Sequence, residues 1–321
     1  METPTVSHIT GGRPHLVEHR GEAMGSSLHV IACGEQHDVN DILARAVDRV
    51  SELEQRWSRF IATSEVSVLN ASPGEPVVVS DDTMELIRRA LEARDLSGGR
   101  FDPTLLQAIQ ANGYDRTFVS IKTPVGSPGL DTRRIGLGEI TVDPKTHTVT
   151  FGPTTGFDPG GIGKGLAADL VAEEMVKHGA IGALVAIGGD IRCIGQGPAD
   201  GGWVIAVGDT VAGVPNKTVA LHEGAVASST SRRRRWTCTT ARGINDVHHL
   251  LNPATGRPAA SAANFVTVIA ARCSDAEWLA TAIAANGSLD SSSTIIGNAT
   301  AMLTDCNGRS SCVGDPERFL R

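Results

Sequence analysis

The residues with the most evident chemical potential lie in "GFDPGGIGKG", Gly156 to Gly165, where a carboxylate, a lysine and several glycines run straight into a helix-patterned segment. Backbone N–H groups at such a turn, with the positive end of a helix dipole behind them, can hold an anion, and Lys164 adds a point charge. The spacing is not that of a P-loop. Asp158 stands where the first glycine belongs, and Gly165 follows Lys164 where a hydroxyl residue belongs. Nor is it a G-x-G-x-x-G turn, because Gly161 and Gly163 are followed by Leu166. The competing reading is a tight strand-to-helix connection with a surface lysine. Of 29 lysines and arginines only Lys122, Lys145, Lys164, Lys177 and Lys217 are lysines, so a lysine kept at this turn suggests a specific role.

Other groups need partners before they can act. Glu277 and Thr281 in "SDAEWLATA" are four apart, hence on one helical face, and together make a hard oxygen set suited to Mg²⁺. Alone, they read better as an exposed glutamate beside a threonine that covers a crossing helix. The adjacent His248 and His249 face opposite sides of a strand, so one of them can point into a site as a general base or serve structure. Asp102 in "SGGRFDPT" can cap a helix or bind a ligand, and Phe60 in "RWSRF" can stack on a ring or fill core. Met24-Gly25-Ser26 reads as a turn. The run Arg232–Arg235 could reach phosphates, but without interleaved aromatics it reads as a solvated face.

These residues sit on a recognisable alternation of elements. Val39, Ile42, Ala46, Val50, Leu53 and Trp57 form one stripe of an amphipathic helix capped by Asp38 or Asn40. Further helices are expected over 81–96, from Pro103, from the glycine turn to Gly179, and over 274–287. Strands are expected on both sides of Met24-Gly25-Ser26, in a hairpin over 139–151, on both sides of Gly188-Gly189, in a hairpin over 217–229, and over 202–209, 263–273 and 301–306. Residues 118–135 read as loop. Hairpins mixed with helical crossovers imply an α+β fold of mixed sheets flanked by helices. Residues 1–20 read as a flexible N-terminal arm and residues 21–315 as one domain.

The bulk numbers set limits. A chain of 321 residues with 40% hydrophobic and 20% charged residues can bury a sizeable core, and a net charge of -7 argues against a general nucleic-acid binder. Six scattered cysteines without C-x-x-C read as free thiols, with at most a Cys306–Cys312 pair. Neither a secretory signal nor a membrane span is expected, which implies a cytoplasmic protein.

Read in order, the segments resemble the ApbE-type flavin transferases, the FAD:protein FMN transferases. The resemblance rests on Met24-Gly25-Ser26, Ser58-Arg59-Phe60, Ser64 to Asn70 (SEVSVLN), Ser97 to Thr104 and Asp158 to Gly165. It continues through Gly188-Gly189-Asp190, Ala227-Ser228-Ser229, His248 to Pro258 and Glu277 to Ala282. It implies a T-fold-like architecture, FAD as substrate, a Mg²⁺ requirement and an acceptor protein whose Thr or Ser hydroxyl receives FMN as AMP leaves. By position, Met24 and Phe60 would line the flavin and adenine region, while Arg100, Phe101 and Asp102 would bind the nucleotide. Asp158, Lys164 and Leu251 would contact FAD, and His249 would sit near the reacting phosphate. Gly161 (through its carbonyl), Glu277 and Thr281 would hold the metal. Glu277 departs from the family's aspartate by one methylene, Phe60 stands where tyrosine is common, and Asn252 replaces aspartate. The same residues would also suit an FAD pyrophosphatase or a non-catalytic FAD-binding protein.

Overall fold

The computed structural model describes residues 15–35, 38–121, 125–126, 138–198, 202–209, 214–240, 243–260, 263–288, 297–305 and 307–319. A hairpin of β1 (His15–Ala23) and β2 (Ser26–Gly34) opens the fold, so strand structure begins inside the segment expected to be a loose arm. Its two-residue turn places Met24 at φ 51, left-handed backbone that a side chain adopts only under constraint. Next come α1 (Val39–Trp57), α2 (Glu65–Ala71), β3 (Pro76–Val78), α3 (Asp81–Leu96) and α4 (Leu106–Ala111). The stripe read from the sequence is the buried face of α1.

The short pieces β4 (Val125–Gly126), β5 (Ile140–Asp143) and β6 (Thr148–Phe151) precede α5 (Gly163–Lys177). Then β7 (Gly182–Ile187) and β8 (Asp190–Gly195) form a hairpin, followed by β9 (Trp203–Asp209), β10 (Val214–Leu221), β11 (Gly224–Ser229), β12 (Arg235–Thr240) and β13 (Gly243–His248). The chain closes through β14 (Leu251–Asn252), β15 (Arg257–Pro258), β16 (Ala263–Ala270), α6 (Cys273–Asn286), β17 (Thr300–Asp305) and β18 (Ser310–Val313).

Eight strands make one sheet in the order β1-β2-β7-β8-β11-β16-β17-β18, antiparallel at every pairing. Because side chains alternate along a strand, its two faces build separate cores. Val30, Ala183, Val185 and Ile187 meet α1, α5 and α6 in the main core, whereas Cys33, Leu184, Cys193 and Val226 meet Trp203, Ile205 and Val219 of the β9–β10 ribbon. A third cluster, Leu106, Ile109, Tyr114, Trp236, Cys238, Val247 and Leu251, joins α4 to the small β13-β12-β4 sheet.

Several expectations change. Residues 217–229 are not a hairpin: β10 pairs with β9, while β11 pairs with β8 and β16 in the main sheet. No helix starts at Pro103. Asp102 Oδ1 accepts hydrogen bonds from Thr104 N (2.8 Å) and Oγ1 (2.6 Å), and the Pro103 carbonyl accepts from Asp158 N (2.8 Å), which delays α4 to Leu106. Asp38 holds the N-cap position of α1 but makes no side-chain capping bond. Cys33, Cys193, Cys238 and Cys273 are buried free thiols, and the Cys306–Cys312 pairing lies outside the described residues because of position 306. Among the described residues, no helix is long and apolar enough to cross a membrane.

Candidate active site

The glycine turn is built by close packing. A Cβ on Gly165 would lie 2.5 Å from the Cys273 carbonyl oxygen, and one on Gly161 would lie 2.8 Å from Phe101 Cε2. Only glycine lets the start of α5 press against the start of α6 in this way. Two carboxylates then lock the junction from opposite sides. Glu277, from α6, accepts from Gly165 N of α5 at 2.7 Å. Asp169, from α5, accepts from Cys273 N (2.8 Å) and from Ser274 N (2.9 Å) and Oγ (2.8 Å) at the start of α6. Each helix therefore satisfies the first-turn donors of the other.

Lys164 stands in this junction with its ammonium 2.5 Å from Asp190 Oδ2 and hydrogen-bonded to Glu277 Oε1. Burial works to lower its pKa, but Asp190 and Glu277 outweigh that and hold it above the ordinary lysine value. Burial raises the Glu277 carboxyl; Lys164 pulls it back, and Asp190 pushes it further up. One ammonium cannot fully compensate two buried carboxylates, so the junction retains negative charge beside a fixed cation.

Motifs flanking the turn act as braces. Ser64 caps α2 by accepting from Ser67 N, Glu65 accepts from Ser80 N (3.1 Å) and Oγ (2.8 Å), and Asn70 makes two hydrogen bonds with the Phe157 backbone. That clamp fixes the residue before Asp158, whose own Oδ1 accepts from Gly160 N at 2.9 Å. Ser97 Oγ likewise accepts from Phe101 N at 3.0 Å.

Lys164 opens onto a cavity of about 620 Å³, lying between the main core and the α4 cluster. It brings together Met24, Phe60, Arg100, Phe101, Asp102, Asp158, Gly161, Lys164, His249, Leu251 and Thr281 from six separated stretches of sequence. Glu277 is not at its wall; it lies behind, 3% exposed, against Lys164. The histidines divide as a strand pair should. His248 Nε2 lies 3.1 Å from the Ala259 carbonyl, whereas His249 faces the cavity and its Nδ1 has no hydrogen-bond partner among the described residues. Burial and the nearby Arg234 push the His249 pKa down to about 3, so the ring is neutral near pH 7.

Residues to which the sequence reading assigned no place in the site complete the walls. Arg59 and Tyr114, the chain's single tyrosine, line the cavity beside Phe60. Arg234 does too, donating to Ser26 Oγ (3.1 Å) and the Gly25 carbonyl (3.3 Å), so the basic run is not simply a solvated face. Asp190 was legible only as part of a glycine motif. Nothing local marked Tyr114, which reaches the site through tertiary packing on Trp236 at 5.5 Å between ring centroids.

Comparison with known proteins gives the family and the fold. The ApbE family pattern matches residues 24–302. The chain belongs to the ApbE family. It is 28% identical over 295 residues to the FAD:protein FMN transferase of Treponema pallidum, covering 85% of this chain and 80% of the relative. It is 27% identical over 273 residues to the enzyme of the same name from Vibrio cholerae, covering 83% and 80%. The fold superposes on the crystal structure of the ApbE protein of Thermotoga maritima with a TM-score of 0.80 at 25% identity, covering 96% of this chain and all of that one. The V. cholerae flavin transferase ApbE shares the fold at a TM-score of 0.77. The α+β architecture expected from the sequence is thus that of solved ApbE structures.

Proposed function

We propose that this protein transfers FMN from FAD to a Thr or Ser hydroxyl of an acceptor protein, with release of AMP. The observation that carries the reading is the convergence, in one cavity of an ApbE-family chain, of a fixed ammonium, an aromatic wall and an imidazole ring. A volume of about 620 Å³ is in the range of pockets that enclose small ligands.

Lys164 supplies charge that cannot swing away, because Asp190 and Glu277 hold it, and the α5 dipole points the same way. Asp190 and Glu277 are not among the residues lining the cavity, so what the junction presents there is the ammonium, a preorganised partner for the charge that develops on a pyrophosphate as it is cleaved. The acceptor hydroxyl forms a bond to the FMN-side phosphorus, AMP departs with the electron pair of the broken P–O bond, and His249, whose ring lines the cavity, takes the hydroxyl proton. Its pKa of about 3 makes it a weak base in the empty cavity; the negative charge of a bound pyrophosphate raises that value toward the working range.

Among the described residues no three His, Cys, Asp or Glu side chains cluster as a metal site. A cation here would rest on mixed oxygen donors: the Gly161 carbonyl, the Thr281 hydroxyl and, behind them, Glu277. Each Glu277 oxygen accepts one hydrogen bond and keeps further lone-pair capacity, so the set suits a hard ion such as Mg²⁺. When bound, Mg²⁺ would neutralise pyrophosphate charge.

The test is incubation with FAD, Mg²⁺ and flavin-free candidate acceptors. AMP together with a protein carrying the mass of FMN supports transfer. Free FMN and AMP without labelled protein would make the chain an FAD pyrophosphatase, and FAD intact after days would make it a binding protein.

A further inference from the structure

Arg59 immediately precedes Phe60, which is assigned to the site, yet nothing in the FAD reading uses it. Its side chain is 7% exposed and lines the cavity. The guanidinium carbon is 4.2 Å from the Phe60 ring centroid and 4.6 Å from that of Tyr114, and the two rings are 5.9 Å apart. The two ring centroids thus subtend roughly a right angle at the guanidinium carbon, and the ring planes are tilted 40° to each other. Nη1 donates to the Tyr114 carbonyl at 2.9 Å, and Nε is 3.5 Å from Asp158 Oδ2. One planar group thus ties the aromatic wall to the first residue of the glycine turn, although Tyr114 and Asp158 are far from it in sequence.

We propose that Arg59 is the specificity-determining residue for the heteroaromatic ring bound at this end of the cavity. A guanidinium has five N–H donors in a rigid fork, and the contacts above engage only two of them. Arg59 and Asp158 both line the cavity with Nε 3.5 Å from Oδ2, so the wall offers a guanidinium donor next to a carboxylate acceptor. A ring with an acceptor next to a donor is its complement. Adenine has that edge at its exocyclic amine, and the isoalloxazine has it at its pyrimidine. A sugar or a bare phosphate would gain nothing from the arrangement of flat rings. Lysine in the same place would keep the charge and lose both the fork and the planar contact with Phe60 and Tyr114.

The inference rests on the FAD reading, and binding measurements separate the two. Affinities of the full chain for FAD, FMN, AMP and inorganic pyrophosphate are measured without acceptor, by flavin fluorescence and calorimetry, for wild type, Arg59→Met and Arg59→Lys. Arg59→Met is expected to weaken FAD at least about tenfold, to weaken one of FMN and AMP by a similar factor, and to leave pyrophosphate within about threefold. The mononucleotide that suffers identifies the ring. Arg59→Lys should stay closer to Arg59→Met than to wild type, and it decides the matter if Arg59→Met does not fold. In turnover, KM for FAD should rise while kcat holds within about threefold. FAD affinity within threefold of wild type in both variants would overturn the inference, as would equal weakening of all four ligands. A wild-type chain that binds none of the flavin or adenine ligands would instead remove the proposed function, and this inference with it.

Discussion

The two ends of the cavity are made differently. At the α5–α6 junction, backbones touch, two carboxylates share one ammonium, and Glu277 and Asp169 are 3% and 0% exposed. At the ring end, Phe60 is 38% and Val119 93% exposed, and the order comes from a cation lodged against aromatic rings. The rigid end suits what every dinucleotide carries, a charged pyrophosphate. The softer end suits what distinguishes one dinucleotide from another. Shape and charge discrimination are thereby assigned to separate parts of the chain, and damage to each should look different.

The sharpest break comes from Lys164→Met, which leaves Asp190 and Glu277 buried without their cation. A loss of about 3–5 kcal/mol in urea unfolding is expected, with AMP release abolished. A loss below about 1 kcal/mol would mean the junction is not the rigid end. Glu277→Ala should abolish Mg²⁺-dependent AMP release; retained activity would remove Glu277 from the metal set. Gly165→Ala drives a methyl into the Cys273 carbonyl and should cost about 1–3 kcal/mol in the same unfolding assay, without a change in ligand preference. Phe60→Ala, at the softer end, should raise KM for FAD roughly fivefold to tenfold and leave stability within about 0.5 kcal/mol.

The smallest effect is one of sign. The folded-state pKa of His249 lies below its unfolded value of 6.5, at about 3, so folding favours the neutral ring. Its contribution is complete above pH 6.5 and is lost as pH falls toward 3. Thermal unfolding of wild type and His249→Gln between pH 7 and 4 should show the wild type losing more on acidification. Parallel curves would contradict the depressed pKa.

Legibility in the sequence followed the same division. Close backbone contact demands glycine at fixed positions, so the α5–α6 junction left a local signature at Gly161, Gly163 and Gly165. What the pattern did not reveal is that Gly165 N serves Glu277, a residue more than a hundred positions away. At the ring end, Phe60 was visible as an aromatic in a polar stretch, but Tyr114 and Arg234 reach the site only through tertiary packing. Among elements, α1 was readable because one face is buried and the other solvated. The seven-residue α2 was not, since it depends on the Ser64 cap and the Asn70 clamp more than on periodicity. β10 and β11 look like a hairpin because only His222 and Glu223 separate them, yet those two residues carry the chain from one sheet to another.

The exchanged carboxylates of Glu277 and Asp169 make the two helices a single mechanical unit. Neither can slide along its axis or fray at its start without undoing the other, so partial opening of this end of the cavity is denied to the molecule. The amides of Gly165, Cys273 and Ser274 should accordingly exchange with deuterium together, late, and only when the whole domain unfolds.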